Sequence, residues 1–170
     1  TIEIEDTRDS VNINVPQIDS TYLSNYTWDK TGEPVILADH QVDLINAVVN
    51  NNGCMIRAGT GAGKTLCCWV LHDLYYKYCG FETLIIVPTK DLIYQTVAEL
   101  NEFSDDVGLW GDGKKDTDHP VVVSTWQTLQ KEPGFVGKFK HIIMDECHGG
   151  KNFASKVNVI LSEYADNCYV

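Results

Sequence analysis

The sequence predicts an α/β domain built on a doubly wound, mostly parallel sheet with helices on both faces. Two observations predict this class. From about Val35 onward, short apolar runs alternate with stretches whose apolar residues recur at helical spacing, as they do where parallel strands are joined by crossover helices. The length of 170 residues, 44% of them hydrophobic, suits one such domain and is too short for a machine of two lobes.

The apolar runs predict strands near residues 54–57, 83–87, 121–123, 141–144 and 168–170. After the first run, Leu66, Val70, Leu74 and Tyr78 repeat every four residues, and the opposite side of that helix is also apolar. A helix that is apolar on most sides lies buried between layers. The next helix follows Thr89, whose side chain can cap its first turn.

The first part of the chain, residues 1–33, is acidic and lacks this alternation, which predicts a linker or the end of an accessory N-terminal region. Residues 34–170 form the predicted domain. The chain begins at Thr1 without an initiator Met and stops at Val170 inside a predicted strand, so we expect both ends to continue in a longer protein.

Charge and cysteine usage narrow the class of protein. With 24 acidic and 13 basic residues the formal charge is -11, which argues against binding of nucleic acid or membrane by bulk positive charge but leaves contacts through backbone amides and helix ends. The six cysteines show no CxxC spacing, and several lie in apolar runs, as in a reduced cytoplasm. Apolar runs are far below the roughly 20 residues that span a bilayer. The sequence therefore predicts a soluble cytoplasmic protein without a membrane partner.

The strongest motif is AGTGAGKT at residues 58–65, placed between a predicted strand and a predicted helix. Glycines let successive backbone N–H groups point at phosphates, and the helix N-terminus adds its dipole. Lys64 is expected to reach the β and γ phosphates, and the Thr65 hydroxyl to ligate Mg²⁺. Ala58 stands where the strict phosphate-loop pattern has Gly. The predicted nucleotide contacts are Thr60, Gly61, Ala62, Gly63, Lys64 and Thr65.

A second motif, IIMDECH at residues 142–148, is an apolar strand that ends in two carboxylates. Ligands of open α/β sheets gather at the carboxyl ends of the strands. Asp145 is expected to hold Mg²⁺, partly through water, and Glu146 to orient or deprotonate the water that attacks the γ phosphate. An acidic strand end alone is more often a solvated turn, and the Lys-Thr loop upstream makes that alternative unfavourable.

Together the two motifs resemble the first RecA-like lobe of superfamily 2 helicases and translocases, over residues 37–148. AxTGxGKT is the usual loop of that superfamily, and the second motif is similar to its DExH box in the DECH form. Stretches similar to VPT at residues 87–89 and VVVSTWQT at residues 121–128 occur in the recombination and repair helicases of tailed phages. The resemblance implies a RecA-like P-loop NTPase fold, the cofactors ATP and Mg²⁺, nucleic acid as partner, and a second RecA-like lobe in the same polypeptide.

The resemblance also assigns roles to residues that are weak signals by themselves. It implies that Gln41 reads the adenine edge, that Thr89, Lys90 and Thr125 contact a nucleic-acid strand, and that His148 links nucleotide state to the strand. Alternatives remain open. Gln41 could lie on an exposed helix face, and the two threonines could be helix caps only.

The predicted function is that of the ATP-binding lobe of a nucleic-acid-dependent ATPase, a helicase or translocase acting in phage recombination, repair or replication in the host cytoplasm. DNA is favoured over RNA. The predicted catalytic residues are Lys64, Asp145, Glu146 and His148. The alternatives are an RNA helicase with the same motifs, the motor subunit of a restriction system, and a nucleotide-regulated interaction module without motor activity. Residues 111–116 are predicted to be a surface loop, with a DNA contact by Lys114 and Lys115 as the less favoured alternative.

Overall fold

The computed structural model describes residues 14–28, 31–51, 61–145 and 153–164. Within these ranges five strands form one sheet. They are β1 (Thr83–Val87), β2 (Val107–Gly111), β3 (Lys114–Asp116), β4 (Val121–Thr125) and β5 (His141–Met144). Their order is β3-β2-β4-β1-β5, and all pairings are parallel except the edge pairing of β3 with β2.

Helices lie on both faces of this sheet. They are α1 (Asp39–Asn51), α2 (Lys64–Cys79), α3 (Lys90–Leu100), the single turn α4 (Trp126–Leu129) and α5 (Phe153–Tyr164), with a 3₁₀ segment at Pro133–Lys138. Strand β1 is buried along its whole length, and its successive residues belong to two different cores. Ile85 packs in the core that includes α2, while Leu84 packs in the core that includes α5. The doubly wound class predicted from the sequence is confirmed.

The predicted strands at 83–87 and 141–144 match β1 and β5, and the strand at 121–123 extends to Thr125. The predicted strands at 54–57 and 168–170 lie outside the described residues. The prediction of a loop at 111–116 is wrong in part, because Gly111 ends β2 and Lys114 begins β3, with only a two-residue turn between them. Asp112 and Gly113 both have positive φ, 51° and 82°, as tight hairpin turns require.

Helix α2 is buried over most of its surface, as its apolar residues predict, although Tyr78 at its end is exposed. Helix α3 begins as predicted, because the Thr89 hydroxyl accepts a hydrogen bond from the Leu92 N–H at 3.4 Å. None of the helices in the described part of the chain has the length and apolarity needed to cross a bilayer.

The segment at residues 14–28 packs on the domain. Val15, Ile18 and Leu23 are buried in the same core as α1 and α2. The Asn46 side chain exchanges two hydrogen bonds of 2.9 Å with the backbone of Ile18, so the segment is held by polar contacts as well as by burial. The division of the chain at residue 33 stays a prediction, and the structure adds that much of the preceding segment shares the core.

Gly108 in β2 is expected to tolerate no side chain. A Cβ at this position would lie 2.6 Å from the backbone oxygen of Asp116 and 2.9 Å from Cδ2 of His119. Because overpacking of this kind costs about 1–3 kcal/mol, we expect Gly108→Ala to lower the free energy of unfolding by that amount in a urea titration. Gly134→Ala is the control, since nothing lies within 4 Å of its Cβ position. Equal stability of the two variants would contradict this account of β2.

Candidate functional site

The parallel strands bring the candidate site residues to one edge of the sheet. In the pairing of β1 with its neighbours, Val87 is in register with Thr125 and Ile86 with Met144. The segments after β1, β4 and β5 therefore leave the sheet side by side. Asp145, directly after β5, donates its backbone N–H to the oxygen of Ile86 at 3.0 Å, which continues the pairing by one residue.

The described part of the phosphate loop leads directly into α2. Gly63 is the residue before the helix and has a left-handed conformation, φ 71° and ψ 39°, with no side-chain cap on the first turn. The first N–H groups of a helix have no partner within the helix, so an uncapped N-terminus next to glycines suits a phosphate. Lys64 and Thr65 are the first two residues of α2, and both are half-buried.

The thiol of Cys68 is buried in α2, one turn after Lys64. Burial raises the pKa of Cys68, the carboxylate of Asp145 raises it further, and the ammonium of Lys64 lowers it. Helix α2, which begins at Lys64, contacts strand β5, which ends one residue before Asp145. A hydroxyl on Thr65 and a carboxylate on Asp145 are the oxygen ligands that Mg²⁺ prefers, and the donor set fits that ion.

Helix α1 holds the phosphate loop from the other side. Gln41 is only 8% exposed, and its Nε2 donates to the carbonyl oxygen of Ala62 at 3.1 Å while its Oε1 accepts from the N–H of Ala38 at 3.0 Å. His40 Nε2 lies 3.3 Å from the same Ala62 oxygen. The alternative of an exposed helix face is therefore wrong for Gln41. After these two hydrogen bonds the amide still has one N–H and one lone pair with which to contact an adenine. That contact stays a prediction.

The two threonines predicted to contact a nucleic-acid strand both cap helices. Thr89 is exposed and caps α3, whereas Thr125 is buried and caps α4 by accepting from the Thr128 N–H at 3.4 Å. In a cap the hydroxyl oxygen accepts a hydrogen bond, and the hydroxyl can still donate its own proton to another group. The Thr125 hydroxyl also lies within hydrogen-bond distance of the Thr128 hydroxyl, at 3.1 Å. Thr89 is therefore better placed than Thr125 to donate its proton to a phosphate.

Other predicted site residues are only partly described. Lys90 is exposed, and its Nζ lies 3.6 Å from Asp112 of the β2–β3 turn. Thr60, Glu146 and His148 lie outside the described residues, and their roles stay predictions. Sequence reasoning missed Gln127, whose Nε2 donates to the oxygen of Pro88 at 3.4 Å and so joins α4 to the segment after β1.

The comparison with protein families agrees with this geometry. Residues 34–170 match the family described as the type III restriction enzyme, res subunit. The chain belongs to this family. It is the first RecA-like lobe of a superfamily 2 helicase, as the sequence motifs predict.

A phage helicase and an archaeal ATPase core both resemble this member of the res-subunit family. The phage helicase is described first, by its sequence and by its crystal structure. The ATP-dependent DNA helicase uvsW of Enterobacteria phage T4 is 32% identical over 148 residues, which cover 80% of the chain and 29% of that relative. A crystal structure of the T4 UvsW helicase has a TM-score of 0.73 at 27% identity, over 85% of the chain and 52% of that structure. The chain thus spans about a third of the length of the first relative.

A Sulfolobus solfataricus SWI2/SNF2 ATPase core, solved in complex with dsDNA, has a TM-score of 0.67 at 18% identity and covers 87% of the chain and 32% of that structure. This second likeness extends to the fold alone. It places the res-subunit family member among α/β lobes that share one sheet architecture.

Proposed function

We propose that the chain is the ATP-binding lobe of a nucleic-acid-dependent ATPase, a DNA helicase or translocase that acts in phage recombination, repair or replication in the host cytoplasm. The observation that carries this proposal is the placement of Lys64 at the uncapped start of α2 and of Asp145 at the end of β5, the strand that α2 contacts. Lysine at a glycine-rich helix start, opposite a carboxylate at a strand end, is the arrangement that nucleotide phosphates and Mg²⁺ require. Family membership and the helicase relative support it.

The reaction follows from where these groups lie. The N-terminus of α2 binds the phosphates of ATP, and Lys64 compensates the charge of the β and γ groups. Mg²⁺, when bound through Thr65 and Asp145, supplies further neutralisation of that charge. Glu146, the second residue after β5 in the sequence, is assigned the role of orienting or deprotonating the attacking water. Gly63, the residue before α2, has no side chain to cap the first turn of the helix, which suits the binding of a phosphate there.

The strand partner is proposed to bind at the same edge. Thr89 and Lys90 at the start of α3 are exposed, and they follow β1, whose last residue Val87 is in register with Thr125 at the end of β4. DNA is favoured over RNA because the first relative is named a DNA helicase. A second RecA-like lobe in the same polypeptide is proposed because the chain covers only 29% of that relative.

The motor mechanism is tested by Glu146→Gln in the full-length protein. We expect DNA-stimulated ATP hydrolysis to fall by about 10² to 10⁴, because a positioned general base contributes that range, while ATP binding persists. A coupled assay measures the steady-state rate with and without DNA. Glu163→Gln on the exposed side of α5 removes one carboxylate in the same way and should leave turnover unchanged. Wild-type turnover in Glu146→Gln would favour the interaction module without motor activity.

The restriction-system motor is a second candidate, because the matching family is described by a restriction subunit. It shares the motifs, so the lobe itself does not separate the two functions. A comparison of nucleic acids separates them: the ATPase activity of the full-length protein is measured with branched DNA, single-stranded DNA, long linear duplex and RNA. We expect branched DNA to stimulate best; preference for long linear duplex would favour the restriction motor, and preference for RNA would favour an RNA helicase.

A further inference from the structure

A concave surface lies beside the β2–β3 turn, outside the residues assigned to the nucleotide or the strand. It is a cavity of about 230 Å³, here called the hairpin cavity. Its lining comes from the hairpin at 110–115 and from Thr128, Lys131 and Glu132 at and after α4. Three lysines, Lys114, Lys115 and Lys131, line this cavity.

The hairpin cavity is at the carboxyl edge of the sheet. Trp110 in β2 is in register with Ser124 in β4, so Gly111 is level with Thr125 and the turn projects beyond it. The same edge carries Thr89 and Lys90 after β1. A strand that contacts these residues would therefore pass next to the hairpin.

The turn is held in one position by helix α3. The Tyr94 hydroxyl donates to Asp112 at 3.2 Å, the Lys90 ammonium lies 3.6 Å from the same carboxylate, and Lys114 Nζ lies 5.2 Å from the centre of the Tyr94 ring. Gly111 allows the close approach, since a Cβ there would lie 2.6 Å from Ile93 Cδ1. These contacts preorganise the turn before any ligand binds.

The lining of the cavity contains more lysines than carboxylates. Its two carboxylates are paired, Asp112 with Lys90 and Glu132 with Lys115, and Lys115 also lies 4.9 Å from the centre of the Trp110 ring. Lys114 and Lys131 make no ion pair with any residue that the structure describes. Two cations without a carboxylate partner face a common cavity in a chain whose formal charge is -11. This excess of positive charge complements an anion.

We propose that the hairpin cavity binds a backbone phosphate of the nucleic-acid strand, with Lys114 and Lys131 as the two cations. The inference rests on the proposed function, which supplies a strand at this edge. It extends the strand-binding surface from the ends of β1 and β4 to the turn between β2 and the edge strand β3. Lys115 is excluded from the phosphate contact because its ammonium already pairs with Glu132.

The test measures binding of a fluorescein-labelled single-stranded DNA by anisotropy, in the full-length protein and at several salt concentrations. Lys114→Ala and Lys131→Ala are each expected to weaken binding several-fold for every DNA sequence, and to lower the slope of log K against log salt by about 1. Lys114→Arg keeps the charge and should retain wild-type affinity and slope. Nucleotide binding should be unchanged in all three variants, since none of them touches α1 or the start of α2.

Lys77→Ala is the matched control, because this exposed lysine lies in the last turn of α2, far from its phosphate-binding start. Unchanged affinity and slope in both alanine variants, with a wild-type protein that binds DNA, would overturn the hairpin site and leave the proposed function intact. An equal loss in Lys77→Ala would also overturn it, since bulk charge would then explain the effect. A wild-type protein that binds no nucleic acid would instead contradict the proposed function.

Discussion

Gly63→Ala is expected to lower nucleotide affinity at least tenfold, and Gln41→Ala in the same chain is expected to restore part of the loss. A Cβ on residue 63 would lie 2.3 Å from Nε2 of Gln41, the amide that holds the Ala62 carbonyl. Relief of the clash moves either the phosphate loop or the glutamine. The left-handed backbone of residue 63, φ 71°, adds roughly 1–2 kcal/mol of strain for alanine.

A double-mutant cycle measures this coupling. A fluorescent ATP analogue reports affinity, and urea unfolding reports stability in the wild type, the two single variants and the double variant. Gly61→Ala is the matched control, because residue 61 has φ 80° but nothing within 4 Å of its Cβ position, so alanine there is strained without a clash. Gln41→Ala should rescue Gly63→Ala and not Gly61→Ala. Equal behaviour of the two glycine variants would contradict the contact between α1 and the loop.

The second large effect is a loss of stability in acid. His72 of α2 and His141 of β5 are both buried, and the Nδ1 of each lies 2.9 Å from the hydroxyl of Thr83. That hydroxyl has one proton, so one ring accepts it and the other donates from its own Nδ1. Burial lowers the pKa of His72 to about 4 and that of His141 to about 3, and for His141 the neighbouring His72 adds to the effect.

The direction of the pH dependence follows from these depressed values. Above the ordinary histidine pKa of 6.5 both rings are neutral in either state, and the network contributes its full stability. Below that pH the histidines of the unfolded chain become protonated while the two buried rings of the folded chain stay neutral. The free energy of unfolding therefore falls as the pH is lowered towards the folded pKa values. By pH 4 this proton uptake by the unfolded chain costs on the order of a few kcal/mol, a large part of the total stability of an ordinary domain.

Urea titrations between pH 7.5 and pH 4 test this. The reference is the triple variant His72→Leu, Thr83→Val and His141→Leu, which removes every polar atom of the network together and so leaves no buried group without a partner. We expect the wild type to lose stability in acid more steeply than the triple variant, by several kcal/mol. Parallel curves would show that these histidines do not govern the acid sensitivity.

The role of glycine in β2 shows where sequence reasoning reaches its limit. Val107–Gly111 contains two glycines and is followed by Asp-Gly, a composition typical of a loop. The structure shows instead that both glycines admit close neighbours, Gly108 beneath the backbone of Asp116 and Gly111 beneath Ile93. Strand propensities describe only the average destabilisation that glycine causes in a strand. Whether a neighbouring segment comes too close for a side chain is determined by how the sheet and helices pack.

The sequence by itself determined the fold class, the helix starts at Thr89 and Thr125, and the candidate nucleotide chemistry of Lys64 and Asp145. These features are encoded within short segments by hydrophobic period, capping residues and glycine spacing, so no distant contact is needed to predict them. Only the tertiary structure decided that Gln41 holds the Ala62 carbonyl, that Asp145 continues the pairing of β5 with β1, and that the β2–β3 turn lies against Lys90 and Tyr94 of α3. These are contacts between segments far apart in the chain, and they depend on strand order and register, which local patterns do not specify.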